Sequence, residues 1–309
     1  MLLDPFQSAE IKINRAKHHL DDLDRQVTSF FERGAVRIVF EHDDEMSAGV
    51  GWESSAFVYR QREKIPLEWG AAIGDVIHNL RASLDLMVSD IFRLTKGNPQ
   101  DIGYVHFPFA RDKDRLHEQI RARRLNRIGK KFIEAIEHIA PYKDGNRGLR
   151  AIHDLDVLDK HQALVPTVAI VEIDWPVSVT NSEKFVTSVA HDGQRIIMIP
   201  KALCPLDYGT TIKADFSIIF GEGSAFERTY VVKQLEASVT SIESILKLFK
   251  HVATEQGLIK NPDGISQEVV REIPTGNLNW GNAILKKDDT DVERRDRRRP
   301  AADDQISQS

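Results

Sequence analysis

From Ser8 to Arg33, the apolar residues Ile11, Ile13, Ala16, Leu20, Leu23, Val27 and Phe30 recur at three- and four-residue steps among charged ones. That is the spacing of one face of an amphipathic helix. The pattern stops near Gly34. VRIVFEH and SAFVYRQRE, rich in β-branched and aromatic residues, then predict a hairpin over about residues 35–64 that turns between Ser47 and Gly51. Pro66 suits the first turn of the next helix, whose broad apolar arc runs through Trp69, Ile73, Val76, Ile77, Leu80, Leu84, Met87, Val88, Ile91 and Leu94. So wide an arc predicts a central, mostly buried helix. Gly70 and Gly74 lower its helix propensity by about 1 kcal/mol each relative to alanine, so close approach of another segment is the better reason for them.

Gly97, Asn98 and Pro99 stop this helix, and Lys96 to Pro108 reads as a loop. Helical spacing returns from Leu116 to Ile139, with an interruption at Gly129, and ends at Pro141. Asn146 suits the cap of a further helix carrying Leu149, Ile152, Leu155 and Leu158. After His161 the period changes. ALVPTVAIVEI, PVSVT, KFVTSVA, RIIMI, TTIKADFSIIF and FERTYVV read as strands separated by Asn, Asp and Gly. Leu235 to Val252 is again helical, and beyond Gly257 the pattern fades into mixed charge, with ERRDRRRP beside AADDQISQS. The predicted fold is α+β: a helical bundle over 1–162 with an inserted N-terminal hairpin, then a small antiparallel sheet or sandwich over 163–233. A closing helix over 234–257 packs on the bundle, and a disordered charged tail covers 258–309.

Composition narrows the class. With 309 residues, 41% hydrophobic and 29% charged, the chain is long enough for one or two real cores. It has no apolar run of membrane-spanning length. Asp4 and Pro5 interrupt the N-terminus before a secretory signal develops, and the single cysteine, Cys204, excludes an internal disulfide and a zinc cluster, so a cytoplasmic location is expected. A net charge of -5 means that affinity for a polyanion would need a local patch.

Two polar stripes are the candidate site. In GDVIHNLRASLDL, residues 74–86, His78, Arg81 and Asp85 fall within about 60° on a helical wheel, bordering the apolar arc, and Arg81 and Asp85 are also an i,i+4 pair. In LRAIHDLDVLDKH, residues 149–161, His153, Asp156 and Lys160 repeat the spacing, with Asp159 and His161 close by. If the stripes face each other, Asp156 or Asp159 is the natural partner of Arg81, because an unpaired buried guanidinium costs several kcal/mol. The plainest reading is a network that fixes how the helices dock. A phosphate or nucleotide site with Arg81 as anion clamp is the sharper one. Metal binding by His153, Asp156, Asp159 and His161 is a third, unsupported by any metal motif, so no metal or cofactor is expected.

The segments GDVIHNLRASLDL, VHFPF, EHIAPY and LDVLDKHQ, with the opening INRAKHHLDDL, resemble an uncharacterised group of bacterial and phage-borne proteins over residues 8–165. That group carries a GDxxHNLRxxLDH helix, an FPI-like strand, a QPY-like helix end and an LDxxDKHR segment. Its usual Arg-x4-His spacing is similar to that of the HEPN helical RNases. In those enzymes arginine and histidine line a dimer cleft and assist attack by a ribose 2′-hydroxyl without metal. The resemblance therefore implies a homodimer and an RNA or nucleotide ligand. Two positions depart from the group's pattern: Leu86 stands where its histidine does, and Gln162 where DKHR has arginine. Leu86 has no proton to move, so the spacing alone points to a catalytically degenerate member. Other Arg–His pairs at similar spacing, among them Arg147 with His153, are about as frequent as chance gives. Arg147 and His153 are the catalytic candidates that remain.

A basic stretch supports a polyanionic ligand independently. Within RDKDRLHEQIRARRLNRIGKK, residues 111–131, Arg123, Arg124, Arg127, Lys130 and Lys131 share one side of an uninterrupted helix, and a break at Gly129 would scatter them. The expected function is an accessory or binding protein, non-catalytic or degenerate as a catalyst, that takes a partner or a phosphate-containing ligand at the polar site. A metal-independent RNase is the alternative.

Overall fold

The computed structural model describes residues 4–50, 53–161, 164–176 and 189–260. Most of the expected strands PVSVT and KFVTSVA, and the charged tail from residue 261 with its ERRDRRRP run, fall outside these residues; of KFVTSVA, Val189 forms an isolated antiparallel bridge to Ala169. In chain order, α1 (Gln7–Glu32) leads into β1 (Val36–His42), α2 (Asp44–Val50) and β2 (Ser54–Gln61). Then come α3 (Glu68–Leu94), α4 (Lys113–Ala122), α5 (Lys130–Ile139) and α6 (Arg147–Asp159). The chain continues through β3 (Pro166–Ile173), β4 (Arg195–Pro200), β5 (Thr211–Ile212) and β6 (Ala214–Phe220) into α7 (Val231–Glu255). This is the α+β architecture that the periodicity predicts.

The long helices form because their apolar positions share a face. In α1, Ala9, Ile13, Ala16, Leu20, Leu23, Val27 and Phe30 are buried, whereas Ile11 lies on the solvent side. This face packs along α3, where Phe30 meets Trp69 edge to face with centroids 5.1 Å apart. α7 lies against both, through Leu235, Val239, Ile242, Ile245 and Phe249. The register of α1 on α3 is also pinned at one end, where the Phe6 N–H donates to Asp90 Oδ2 at 2.9 Å. Asn146 caps α6 as expected, its Oδ1 accepting from the Leu149 N–H at 3.0 Å.

The strands are organised differently from a hairpin plus a separate unit. β1 and β2 pair antiparallel, but β4 and β5, from far along the chain, flank them in a sheet of order β4-β2-β1-β5. β3 and β6 form a second, two-stranded sheet. One continuous core, from Phe6 to Ala253, joins helices and sheets. Three local expectations are corrected. The hairpin connection contains helix α2 rather than a turn at Ser47 to Gly51. TTIKADFSIIF is two strands, divided at Lys213 between the two sheets. FERTYVV is not a strand: Gly223 and Arg228 turn the chain at positive φ, bridging to β6 is confined to Thr229 and Tyr230, and the helical face beginning at Val231 takes over.

Candidate functional site

α3 and α6 pack directly against each other, and their polar stripes meet. The i,i+4 pair of Arg81 with Asp85 forms, but the cross-helix partner of Arg81 differs from the one expected. Arg81 does not reach Asp156 or Asp159; its Nη1 lies 2.6 Å from Oδ1 of Asp85, one turn along the same helix. The approach lacks hydrogen-bond alignment, so the contact is a close ion pair. Nε of Arg81 donates to Nδ1 of His153 on α6 at 3.3 Å. The guanidinium lies over the ring of Phe109 at 4.7 Å, and the same ring stacks on His153 with centroids 4.5 Å apart and planes 12° from parallel. Helical wheels give the angle of a side chain but not the axial offset between two helices, and this offset brings His153 to Arg81.

The extended segment after α3 completes this arrangement. Asp85 Oδ1 accepts from the Phe107 N–H at 2.7 Å, and His106 Nδ1 is 3.6 Å from Asp85 Oδ2. Arg150 of α6 donates from Nη1 to the Ala110 carbonyl at 2.9 Å and pairs with Asp154. His106, Phe109 and Arg150 were not singled out from the sequence. The alternating aromatics of VHFPF are the available signal, and they do not say which helix they cover.

A second cluster lies on the same helix pair. Asp156, only 8% exposed at its side chain, accepts from Lys160 Nζ at 2.7 Å and sits 3.1 Å from His78 Nδ1. His78 and Lys160 are 57% and 55% exposed. A buried carboxylate therefore anchors two groups that keep hydrogen-bonding capacity toward water: the Nε2 of His78 and two of the three ammonium hydrogens of Lys160. Asp159 does neither job. It packs on α3 where Gly74 has no side chain, and a Cβ there would come within 2.7 Å of its carboxyl carbon. Burial, reinforced by Asp156 and Asp75, raises its pKa above the usual carboxylate value. His161 is exposed in the turn after α6. Arg147 is exposed at the first position of α6, about 9 Å along the axis from His153.

The protonation of His153 follows from its neighbours. Arginine is only a donor, so Nδ1 must offer its lone pair and the proton sits on Nε2. Burial, then Arg81 and Arg150, push the imidazole down from 6.5 to about 4, against weaker opposing effects of Asp154 and Asp156. At neutral pH His153 is uncharged. Between about pH 6.5 and pH 4 the unfolded chain holds a proton that the folded chain does not, so this group makes stability fall as pH falls through that window. The displacement corresponds to at most about 3 kcal/mol, and solvent at the partly exposed ring reduces this to about 1–2. His153→Gln keeps an acceptor for Arg81 without the titration. Its urea midpoint is expected to change less between pH 7 and pH 4 than the parent's; equal changes would assign the acid sensitivity elsewhere.

The basic stretch is not one face. α4 ends at Ala122, Arg124 takes φ +59°, Leu125–Arg127 form a 3-10 turn, and Gly129 at φ +100° precedes α5. The helix therefore breaks before Gly129 as well as at it. Arg124 lies over Tyr104 and near Asp101, while Lys130 and Lys131 pair with Glu134. Arg123 and Arg127 are exposed on separate short elements. Among the described residues no group of three or more His, Cys, Asp or Glu side chains is placed to hold a metal ion, so the four ligands weighed from sequence do not converge. No helix among them is long and apolar enough to cross a membrane. Comparison with protein-family models, curated proteins and solved structures finds no match.

Proposed function

We propose that this chain is a non-catalytic accessory protein that binds a phosphate-containing ligand at the exposed rim of the α3–α6 polar network. The observation that carries this reading is the division of labour between the two clusters. Arg81 and His153 are occupied by each other, by Asp85 and by Phe109, with the Arg81 side chain only 12% exposed. His78 and Lys160 are held by Asp156 yet remain open to water. A phosphate oxygen would accept from Lys160 and, when the His78 ring is the doubly protonated imidazolium, from its outer nitrogen, without displacing either from its anchor.

Titration of the full chain with inorganic phosphate, ATP and a short single-stranded RNA, followed by calorimetry, tests this. Binding of at least one probe is expected, weakened by added salt and reduced about tenfold or more by Lys160→Ala and by His78→Ala. Absence of binding, or binding indifferent to both variants, would count against the site.

The contact between Arg81 and His153 favours a second reading, a metal-independent RNase in which Arg81 steadies the phosphate charge and neutral His153 moves the proton. RNA incubated in chelator with the parent and with His153→Ala separates the two. Cleavage lost in the variant supports the nuclease; intact RNA with both folded proteins supports the binding role.

A further inference from the structure

A cavity of about 850 Å³ lies where the two sheets part, between the second half of α1 and the start of α7. That volume is in the range used to seat small ligands or the side chains of a bound segment. Its floor is apolar. Phe31 and Phe216 stack with centroids 5.8 Å apart and planes 26° from parallel, beside Val27 and Val232.

Two strand edges border this floor. The β1–β5 ladder ends at the Ile38–Ile212 pair, short of Val36, because the chain leaves the sheet at Lys213 to begin β6. β6 pairs with β3 on one side. On its other side, among the described residues, it is met only at the far end, where the Phe220 N–H donates to the Thr229 carbonyl and the Arg228 N–H to the Phe220 carbonyl. Among the described residues, the part of β6 from Ala214 to Ser217, which lines the cavity, has no strand beyond it on that side. Unpaired edge groups are a template for another strand.

Charge narrows what such a strand carries. Arg37 and Arg62 line the cavity, and neither meets a carboxylate at salt-bridge distance among the described residues. Arg37 also stands opposite Arg60 in the β1–β2 register, an unfavourable like-charge pair, and Arg60 is already engaged by Glu41. On the other wall, Asp215 and Glu236 likewise lack a cationic partner among the described residues.

We propose that this cavity receives an extended peptide segment of a partner protein, added as a strand along the outer edge of β6. An apolar side chain of the segment covers the Phe31–Phe216 pair, a neighbouring carboxylate meets Arg37 and Arg62, and a basic residue faces Asp215 and Glu236. The backbone supplies affinity and the alternating pockets supply selectivity. This site is separate from the α3–α6 rim, and it stands or falls independently.

Selection from a phage-displayed library of short random peptides, with the full chain as bait, tests the proposal. Enriched peptides are expected to place Asp or Glu near an apolar residue. A synthesised representative should lose tenfold or more in affinity to Arg37→Glu and to Arg62→Glu, and regain part of it when its own acid is exchanged for lysine. N-methylation of alternate backbone amides should abolish binding. Failure to enrich any peptide, or enriched peptides indifferent to both charge reversals or to N-methylation in either phase, would overturn it. Arg62 is exposed, so Arg62→Glu stays interpretable even if Arg37→Glu disturbs β1.

Discussion

Replacing Arg81 with methionine is expected to lower the unfolding free energy by about 3 kcal/mol. Methionine fills much of the same volume, so the loss is mainly electrostatic. Removing one partner of a largely desolvated pair leaves the other charge uncompensated, which typically costs about 3–5 kcal/mol. Asp85 remains 28% exposed and keeps the Phe107 N–H, which places the effect at the lower end. The contact with Phe109 adds up to about 1 kcal/mol. Urea denaturation at pH 7 measures the change, and a loss below about 1 kcal/mol would mean that the network does not hold α3 to α6. The same variant removes one of the charges that depress His153, so the imidazole should titrate at higher pH by NMR. The double variant with Asp85→Asn should recover part of the loss, because it removes the stranded carboxylate.

Gly70→Ala is expected to cost about 2–3 kcal/mol, although alanine is the better helix former by about 1 kcal/mol. A Cβ at this position would stand 2.6 Å from the Leu164 carbonyl oxygen. That neighbour is backbone and cannot rotate aside, so either the segment entering β3 shifts or α3 bends. Gly74→Ala meets the Asp159 side chain instead, which has rotamers to use, and should cost less. Thermal midpoints of the two variants provide the comparison. If Gly70→Ala were neutral or stabilising, the close approach of chain to helix would not be tight in solution.

Much of the helical architecture is legible in the chain. The stripes of α1, α3, α6 and α7 are long and regular, and packing follows them. VRIVFEH, SAFVYRQ, PTVAIVEI and RIIMI are legible as strands but not as neighbours, and FERTYVV misleads because its β-branched end belongs to α7. Nothing local says that RIIMI lies beside SAFVYRQ, because sheet pairing is a long-range choice among edges of similar composition. Short elements failed for a different reason: α2 and the 3-10 turn at Leu125–Arg127 span too few residues to build a period. At the candidate site, the wheel identified the participating helices and most of the polar side chains. It missed Phe109 and His106, which arrive from an extended segment. It gives Arg81 its i,i+4 partner Asp85 but assigns Asp156 or Asp159 across the helices where His153 stands.

The order of strands in the four-stranded sheet has a bearing on biosynthesis. β1 and β2 are made early, but the strands that flank them lie more than a hundred residues later. At translation speeds of about 5–20 residues per second, the nascent hairpin waits on the order of 10 s with both of its borders unprotected. During that interval it is a target for chaperones and for association with other nascent chains. Non-local closure of this kind also slows folding relative to a simple bundle. Refolding from denaturant should therefore show early helix recovery by far-UV signal, with native tertiary packing arriving in a later phase.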